Sequence, residues 1–225
     1  MFGDRDVSNR ISKQQITNWE AFEQLAEEWK HQDQFGTAVW DVAEESYDCC
    51  FDFMCDGQLT DEDGLVVEHP ADADDWGKSW RKIKKRYAKV VNRFVADEKG
   101  LVVISHVRVS ERKDAAGDTV EDAHPAVSGQ ALEVLFGKAD LVGYYHIRHG
   151  KRVLQIRPTD DVCAKCRSVE NFIDTAGKPI KFIPMGNSAK EAHNNLVKAF
   201  HNKQEGDKPK EKTTTRRKRR PVGNR

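Results

Sequence analysis

The sequence lacks several features that define whole classes of protein. No apolar run approaches the ~20 residues needed to cross a bilayer, and the N-terminus has no charged segment followed by an apolar one, as a secretory signal has. The five cysteines are odd in number, so no disulfide framework is expected. We therefore expect a protein of the cytoplasm, in a bacterium or a virus-infected cell, with no membrane partner.

The sequence also lacks a phosphate loop of the form G-x-x-x-x-G-K-S/T. Such a loop joins a strand to a helix and holds phosphates with its backbone N–H groups. The chain has one Gly-Lys-Ser, at Gly77, and the residue five positions earlier is Asp72, in an acidic stretch with no strand before it. This Gly-Lys-Ser is therefore interpreted as the opening of a helix.

Two other short motifs are rejected as ligand sites. Gly137–Asp140 reads GKAD, which lacks the asparagine of a guanine-binding N-K-x-D, and is interpreted as a helix end leading into a strand. Cys163 and Cys166 form a single C-x-x-C pair without a second pair or a histidine at zinc-ligand spacing. A structural zinc site is therefore not expected.

The formal net charge of zero, from 37 basic and 37 acidic residues, hides two regions of opposite sign. Acidic residues are concentrated from Asp56 to Asp75, whereas Lys203–Arg225 is strongly basic with almost no apolar residues. A segment of that composition buries too little surface to offset its ordering entropy, so residues 203–225 are predicted to be disordered. Their charge fits a polyanion, and a solubilising or targeting tail is the alternative.

Hydrophobic periodicity predicts helices alternating with strands within one domain, residues 1–202. Two apolar strands, Thr37–Asp41 and Leu101–Ser105, are separated by helical segments, which favours a parallel sheet. Leu101–Ser105 is apolar throughout, as in a strand covered by helices on both faces.

Two strands around a turn at Gly150 predict a C-terminal hairpin. The predicted fold class is α/β, with a mainly parallel sheet flanked by helices. Helices are predicted over 17–31, 42–54, 76–99, 128–137 and 189–201.

Polar residues follow both predicted strands at their carboxyl ends, where open α/β sheets bind ligands. Asp41 is a candidate Mg²⁺ ligand, or a cap for the helix that follows. Glu44, one helical turn later, could polarise a water for attack on a phosphate, or accept hydrogen bonds from first-turn amides. His106 could sense a γ-phosphate or bond Asp41, or have only a structural role.

The order of these features resembles a known family. From Thr17 to Phe172 the chain has a helix, a strand ending AVWD, a helix, a long helix opening GKSW, a strand ending VISH, a charged loop, GKAD and a hairpin leading to AKCR. In this order they are similar to the phage RecA-like ATPases of the AAA type, which act in single-strand annealing and recombination, from after the P-loop to the C-terminus. The resemblance implies a RecA-like fold, ATP and Mg²⁺ as cofactors, and a homo-oligomer.

The resemblance also implies roles for individual residues. It makes Asp41 the Walker B acid that holds the Mg²⁺ water shell, Glu44 the acidic position one turn later, and His106 the polar sensor of the next strand. Lys165 and Arg167 match the family's basic pair near the last strands. Such groups approach the phosphates of a neighbouring subunit's nucleotide.

The missing phosphate loop leaves two explanations open. Either the chain begins internally, with a first strand and P-loop encoded upstream, which the short start MFGDRDVSNRIS fits slightly better, or a complete protein has lost ATP binding. The predicted function is that of an ATP-binding protein of phage DNA recombination or annealing, which is an ATPase if the P-loop is supplied upstream and is expected to be inactive as this chain alone. Single-stranded DNA would be bound by loops such as Val107–Pro125 and by the basic tail. The alternatives are a non-catalytic protein- or DNA-binding module on the same sheet, and a nuclease built on Asp41 and Asp48.

Overall fold

The computed structural model of the protein describes residues 13–96, 99–113 and 117–204. Within them the chain forms two compact units, one of residues 13–144 and 157–167 and the other of residues 145–156 and 168–204. The elements, in chain order, are α1 (Trp19–Trp29), β1 (Thr37–Asp41), α2 (Ala43–Cys55), α3 (Lys78–Phe94), β2 (Gly100–Ile104), β3 (Val107–Lys113), β4 (Thr119–Pro125), α4 (Gly129–Lys138), β5 (Leu141–Val142), β6 (Tyr144–Arg148), β7 (Lys151–Gln155), β8 (Lys165–Cys166), β9 (Phe182–Pro184) and α5 (Ala189–Phe200).

The helices of the first unit form where apolar side chains recur at helical spacing. In α1 the side chain of Asn18 caps the helix by accepting a 2.8 Å hydrogen bond from the Ala21 N–H. The buried residues of α1 and α3 form one stripe on each helix, which confirms both predicted helices. These buried residues are Trp19, Phe22, Ala26 and Trp29 in α1, and Ser79, Ile83, Tyr87, Val90, Val91 and Phe94 in α3.

An aromatic cluster forms the centre of this unit. The Trp40 ring of β1 makes edge-on contacts with Phe22 at 4.8 Å and with Phe94 at 5.0 Å between centroids. Trp19 stacks on Tyr87 at 6.2 Å. Edge-on and stacked aromatic pairs add to the free energy of burial itself, so these rings hold β1 against α1 and α3.

β1 and β2 pair in parallel, with a register from Thr37↔Gly100 to Asp41↔Ile104. The predicted parallel arrangement of these two strands is therefore confirmed. Trp40 faces the helices, whereas Val39, Val102 and Ile104 on the other face are 60%, 49% and 44% exposed. Among the described residues the helices cover one face of β2, so the prediction of cover on both faces is wrong there. The helices of the core cluster all pack on the Trp40 side.

The remaining sheets are small and mostly antiparallel. β3 and β4 form a hairpin with the register Val107↔Pro125 to Lys113↔Thr119, and β5 pairs antiparallel with β8. Only Ser105 and His106 separate β2 from β3, which is too short for the crossover of a dozen or more residues that parallel pairing requires. The mixed helix and strand composition is confirmed, but a mainly parallel sheet is not seen in the described residues.

The second unit is built on a three-stranded sheet in the order β6-β7-β9. The turn between β6 and β7 places His149 at φ 51° and Gly150 at φ 74°, as a two-residue hairpin turn of type I′ requires. This confirms the hairpin predicted around Gly150. The Ser188 side chain caps α5 by accepting a hydrogen bond from the Glu191 N–H at 3.2 Å, and Ile183 of β9 is fully buried.

Some predictions fall on parts of the chain that the structure does not describe. The predicted disordered tail lies outside the described residues from position 205 onward, as does the start MFGDRDVSNRIS. A single domain spanning residues 1–202 stays a prediction. In the described part of the chain, no helix is long and apolar enough to span a bilayer.

Candidate functional site

The parallel pairing brings the carboxyl ends of β1 and β2 to one edge of the sheet. Asp41 is the last residue of β1 and pairs with Ile104, the last residue of β2. Ser105 and His106 follow directly, and the side chain of Asp41 is exposed. The structure therefore places Asp41 and His106 at the same edge, where open α/β sheets bind ligands.

Glu44 joins α2 to this edge. Its Oε1 accepts hydrogen bonds from the His106 backbone N–H at 2.8 Å and from the Ser105 hydroxyl at 2.9 Å, and lies 3.7 Å from His106 Nδ1. The Glu44 side chain is 19% exposed, and its other oxygen, Oε2, is buried with no hydrogen-bond partner among the described residues. A buried carboxylate oxygen without a donor is costly, so this atom can accept a hydrogen bond from a bound molecule.

Ser105 is a part of the site that was not predicted from the sequence. Its hydroxyl donates to Glu44 and also accepts a 3.2 Å hydrogen bond from the Ala126 N–H. The Ala126 N–H lies 2.9 Å from the His106 carbonyl as well. Ser105 therefore connects α2, the end of β2 and the end of the β3–β4 hairpin. The signal that could have identified it is a hydroxyl residue directly after an apolar strand.

His106 is held by its backbone, and its side chain is 74% exposed. Its N–H and its carbonyl are both engaged, by Glu44 and by Ala126 respectively. The imidazole is therefore a solvent-facing group at a fixed point of the chain, beside the carboxylate of Glu44. Such a group can donate to an anionic ligand at the sheet edge.

Asp48, the second acid of the nuclease alternative, lies one turn beyond Glu44 on α2. Partial burial, and then the nearby charges of Asp52, Glu44 and Glu45, raise the pKa of the Asp48 carboxyl above its ordinary value. Asp48 borders a cavity of about 530 Å³. Among the described residues no group of three or more His, Cys, Asp or Glu side chains could hold a metal ion, so the nuclease alternative gains no support from them. The cavity is lined by Tyr47, Asp48, Phe51, Trp80, Ser128, Gly129, Gln130 and Glu133.

Lys165 and Arg167 lie together at the C-terminal end of α4. The Lys165 ammonium donates a hydrogen bond to the Phe136 carbonyl, and the Arg167 guanidinium donates one to the Gly137 carbonyl. Cations in this position satisfy unpaired carbonyls and the negative end of the helix dipole. In the described residues no contact joins these two side chains to the group formed by Asp41, Glu44 and His106. The structure thus separates the predicted site residues into two groups.

The Gly-Lys-Ser segment opens α3, as predicted. Gly77 is the N-cap, and both the N–H and the hydroxyl of Ser79 donate to Asp75 Oδ2 at 2.7 Å. These hydrogen bonds from Ser79 hold the pKa of the Asp75 carboxyl below its ordinary value. The anion position at this helix end is therefore filled by a carboxylate of the chain itself, and not left open for a phosphate.

The sheet edge has the donor set that suits Mg²⁺ with a nucleotide. Mg²⁺ takes oxygen ligands and is commonly held by one or two carboxylates together with waters and substrate phosphates. Asp41 supplies an exposed carboxylate, and the unpartnered Glu44 Oε2 supplies an acceptor for a water. These residues fit the group, while the sequence holds no phosphate loop to bind the triphosphate.

A family model described as an AAA domain matches residues 4–168, which is more than half of the chain. No curated protein and no solved structure gives a significant match. The matched range contains both groups of predicted site residues, and AAA-type domains are nucleotide-binding domains of the P-loop ATPase type that generally use ATP and Mg²⁺. The chain therefore belongs to this AAA domain family.

Proposed function

We propose that the protein is an ATP-binding protein of the RecA-like class that acts in phage DNA recombination or single-strand annealing. The observation that carries the proposal is the parallel pairing of β1 and β2, which places Asp41 and His106 at one edge beside the buried carboxylate of Glu44. The AAA family match supports ATP as the ligand. The recombination role rests on the order of motifs, since a fold by itself does not define a function.

Each residue at the edge has a role that its position supports. Asp41 would hold Mg²⁺ through its water shell, and the metal supplies charge neutralisation on the phosphates when bound. Glu44 orients His106 through the backbone N–H and presents Oε2 as an acceptor for a water. His106 presents an exposed imidazole as a donor to a terminal phosphate.

Lys165 and Arg167 are proposed to act between subunits. Both bond the end of α4 in their own chain, so contact with a neighbouring subunit's nucleotide requires them to exchange those carbonyls for phosphate oxygens. A phosphate makes a stronger, charge-assisted acceptor than a carbonyl. The Arg167 side chain is 52% exposed, which leaves it accessible to a neighbouring chain.

The test compares MgATP binding by the chain and by its Asp41→Asn variant. Removing a metal-orienting carboxylate costs several kcal/mol of charge stabilisation, so we expect the affinity for MgATP to fall by about 10²-fold or more. Glu45→Gln, at an exposed acid in the same turn of α2, is the matched control and should keep the wild-type affinity. Equal affinities of Asp41→Asn and Glu45→Gln for MgATP would contradict the proposed role of Asp41.

A non-catalytic binding module on the same fold is the second candidate. It is favoured by the absence of a phosphate loop in the sequence and by the exposed apolar face of Val39, Val102 and Ile104. Exposed apolar patches of this kind mark interaction surfaces. Calorimetric titration of the chain with MgATP separates the two candidates, because saturable binding supports the ATPase and its absence at millimolar nucleotide supports the module.

A further inference from the structure

The second unit differs from the first in charge. Its described residues, 145–156 and 168–204, carry eight Lys and Arg against three Asp and Glu, although the whole chain is neutral. The AAA domain match ends at residue 168, so it includes the β6–β7 hairpin and leaves out residues 169–204 of this unit. This surplus of basic residues favours an anionic partner for the second unit.

The β6–β7 hairpin concentrates that basic charge. From Leu141 to Thr159 the sequence has no acidic residue. Lys151 and Arg152 begin β7, and both side chains are exposed. No ion pair with a described residue engages either of them. Unpaired cations at the end of a hairpin are available to bind phosphate groups.

The same hairpin exposes an aromatic ring. Tyr145 and Ile147 are 53% and 70% exposed, and they lie on one face of β6 because alternate residues of a strand share a face. Lys151 and Arg152 are consecutive and so point to opposite faces of β7, which places one of these cations on the face of Tyr145. An exposed ring beside a cation is the combination that binds unpaired bases and their backbone.

We propose that the β6–β7 hairpin binds single-stranded nucleic acid. The Tyr145 ring stacks on a base, Ile147 contacts the next base, and Arg152, which lies opposite Ile147 across the two-residue turn, binds a phosphate. A single strand fits better than a duplex because the base faces of a duplex are already stacked and inaccessible to a ring. The proposal rests on the proposed function for the choice of single-stranded DNA, and it assigns that partner to a hairpin of the second unit.

The β3–β4 hairpin is a weaker candidate for this partner. Val107–Pro125, the segment that the sequence argument favoured, carries three Lys and Arg against five Asp and Glu. Its net negative charge opposes a polyanion, whereas the β6–β7 hairpin is free of acids. The charge balance of the two hairpins therefore favours β6–β7.

The test measures binding of a fluorescent oligothymidine to the full chain without nucleotide, across a range of salt concentrations. Loss of a stacking ring lowers affinity by roughly 5- to 150-fold, so we expect Tyr145→Ala to weaken binding by about tenfold and Tyr145→Phe to bind like the wild type. Arg152→Ala should lower the slope of log K against log salt by about 0.7, whereas Lys151→Ala, on the opposite face of the hairpin, should lower it less. Thermal unfolding checks that every variant is folded.

Matched controls separate this surface from the rest of the chain. Trp76→Ala removes a 95% exposed ring of the first unit, and Lys89→Ala removes an exposed cation of α3; neither should change binding. Replacing the basic residues of Arg216–Arg220 with neutral ones should lower the affinity of both proteins for oligothymidine. The ratio of the wild-type affinity to the Tyr145→Ala affinity should stay the same. Wild-type chain that binds oligothymidine but no MgATP would contradict the ATPase proposal alone, so failure of that proposal is visible separately.

Two results would overturn the proposal. Folded Tyr145→Ala that binds oligothymidine as tightly as the wild type would exclude Tyr145 as a stacking platform. Binding of a duplex of the same length with equal affinity would show that charge alone drives association, with no contribution from exposed bases.

Discussion

The two faces of the β1–β2 pair differ in what covers them. On one face Trp40 is 7% exposed and packs among the rings of α1 and α3. On the other face Val39 and Val102 are 60% and 49% exposed. The two faces come from the same short strands, so a strand's apolar composition does not decide whether it is covered. The covered face stabilises the unit, whereas the open face and the edge beside it are available for ligands and partners.

Removing the ring at the centre of the covered face should have the largest effect on stability. Trp40→Ala deletes the edge-on contacts with Phe22 and Phe94 and leaves a cavity, which for a large aromatic costs about 3–5 kcal/mol of unfolding free energy. Urea unfolding followed by circular dichroism measures the loss. Val39→Ala, on the neighbouring residue of the open face, is the control and should change stability by about 0.5 kcal/mol or less. Similar losses of unfolding free energy in both variants would show that the two faces contribute equally to stability.

The second prediction concerns Glu44, which contacts the edge of the sheet where β1 and β2 end. Glu44→Ala removes the acceptor of the His106 N–H and of the Ser105 hydroxyl, and hydrogen bonds to a charged group contribute about 1.5–3 kcal/mol. We expect a loss of about 2 kcal/mol, seen as a lower urea midpoint at unchanged slope. Glu44→Gln keeps an oxygen acceptor and should lose about half as much.

Glu45 provides the internal control for Glu44. It lies next to Glu44 in the first turn of α2, and its side chain is exposed. Glu45→Ala should leave the urea midpoint unchanged, because surface substitutions away from such contacts change the free energy of unfolding by no more than about 0.5 kcal/mol. If Glu44→Ala were no less stable than Glu45→Ala, the carboxylate would not join α2 to the end of β2.

The sequence was sufficient for features that depend on local periodicity. The α1 stripe of Trp19, Phe22 and Trp29, and the strand Thr37–Asp41, follow from residue spacing alone. The meeting of Asp41 and His106 at one edge also followed, since two helix-linked apolar strands favour parallel pairing. These features need no knowledge of distant partners.

Features that depend on contacts between distant segments could not be predicted in this way. The exposure of Val102 depends on where the helices pack, not on the composition of β2. The hydrogen bonds of Ser105 join residues 61 and 21 positions apart. Lys165 reaches the end of α4 over 29 positions, and the pairing of β7 with β9 is what makes residues 145–156 part of the second unit. Such geometry is set by tertiary packing.

The smallest expected effect is a pH dependence that comes from the covered side. Cys50 of α2 is fully buried in the core cluster, and burial raises the pKa of its thiol to about 12 from an ordinary value of 9.0. In the unfolded chain the thiol loses its proton near pH 9, whereas the folded protein keeps it until about pH 12. Proton loss therefore favours the unfolded state, so stability that is fully present below pH 9 is lost as pH rises through this window.

The decline is measurable as a change in urea midpoint between pH 8 and pH 10. One such group contributes at most about 1.4 kcal/mol per pH unit above its unfolded pKa, so we expect a loss of about 1 kcal/mol by pH 10. Cys50→Ala should remove this part of the decline, while Cys55→Ala, at a partly exposed thiol of the same helix whose pKa burial also raises, should leave the part due to Cys50 in place. Because Tyr87 is also buried and its pKa is also raised, a second decline above pH 10 should persist in both variants. Equal pH profiles for Cys50→Ala and the wild type would mean that water reaches Cys50, and hence that the Trp40 side is less tightly covered than its packing indicates.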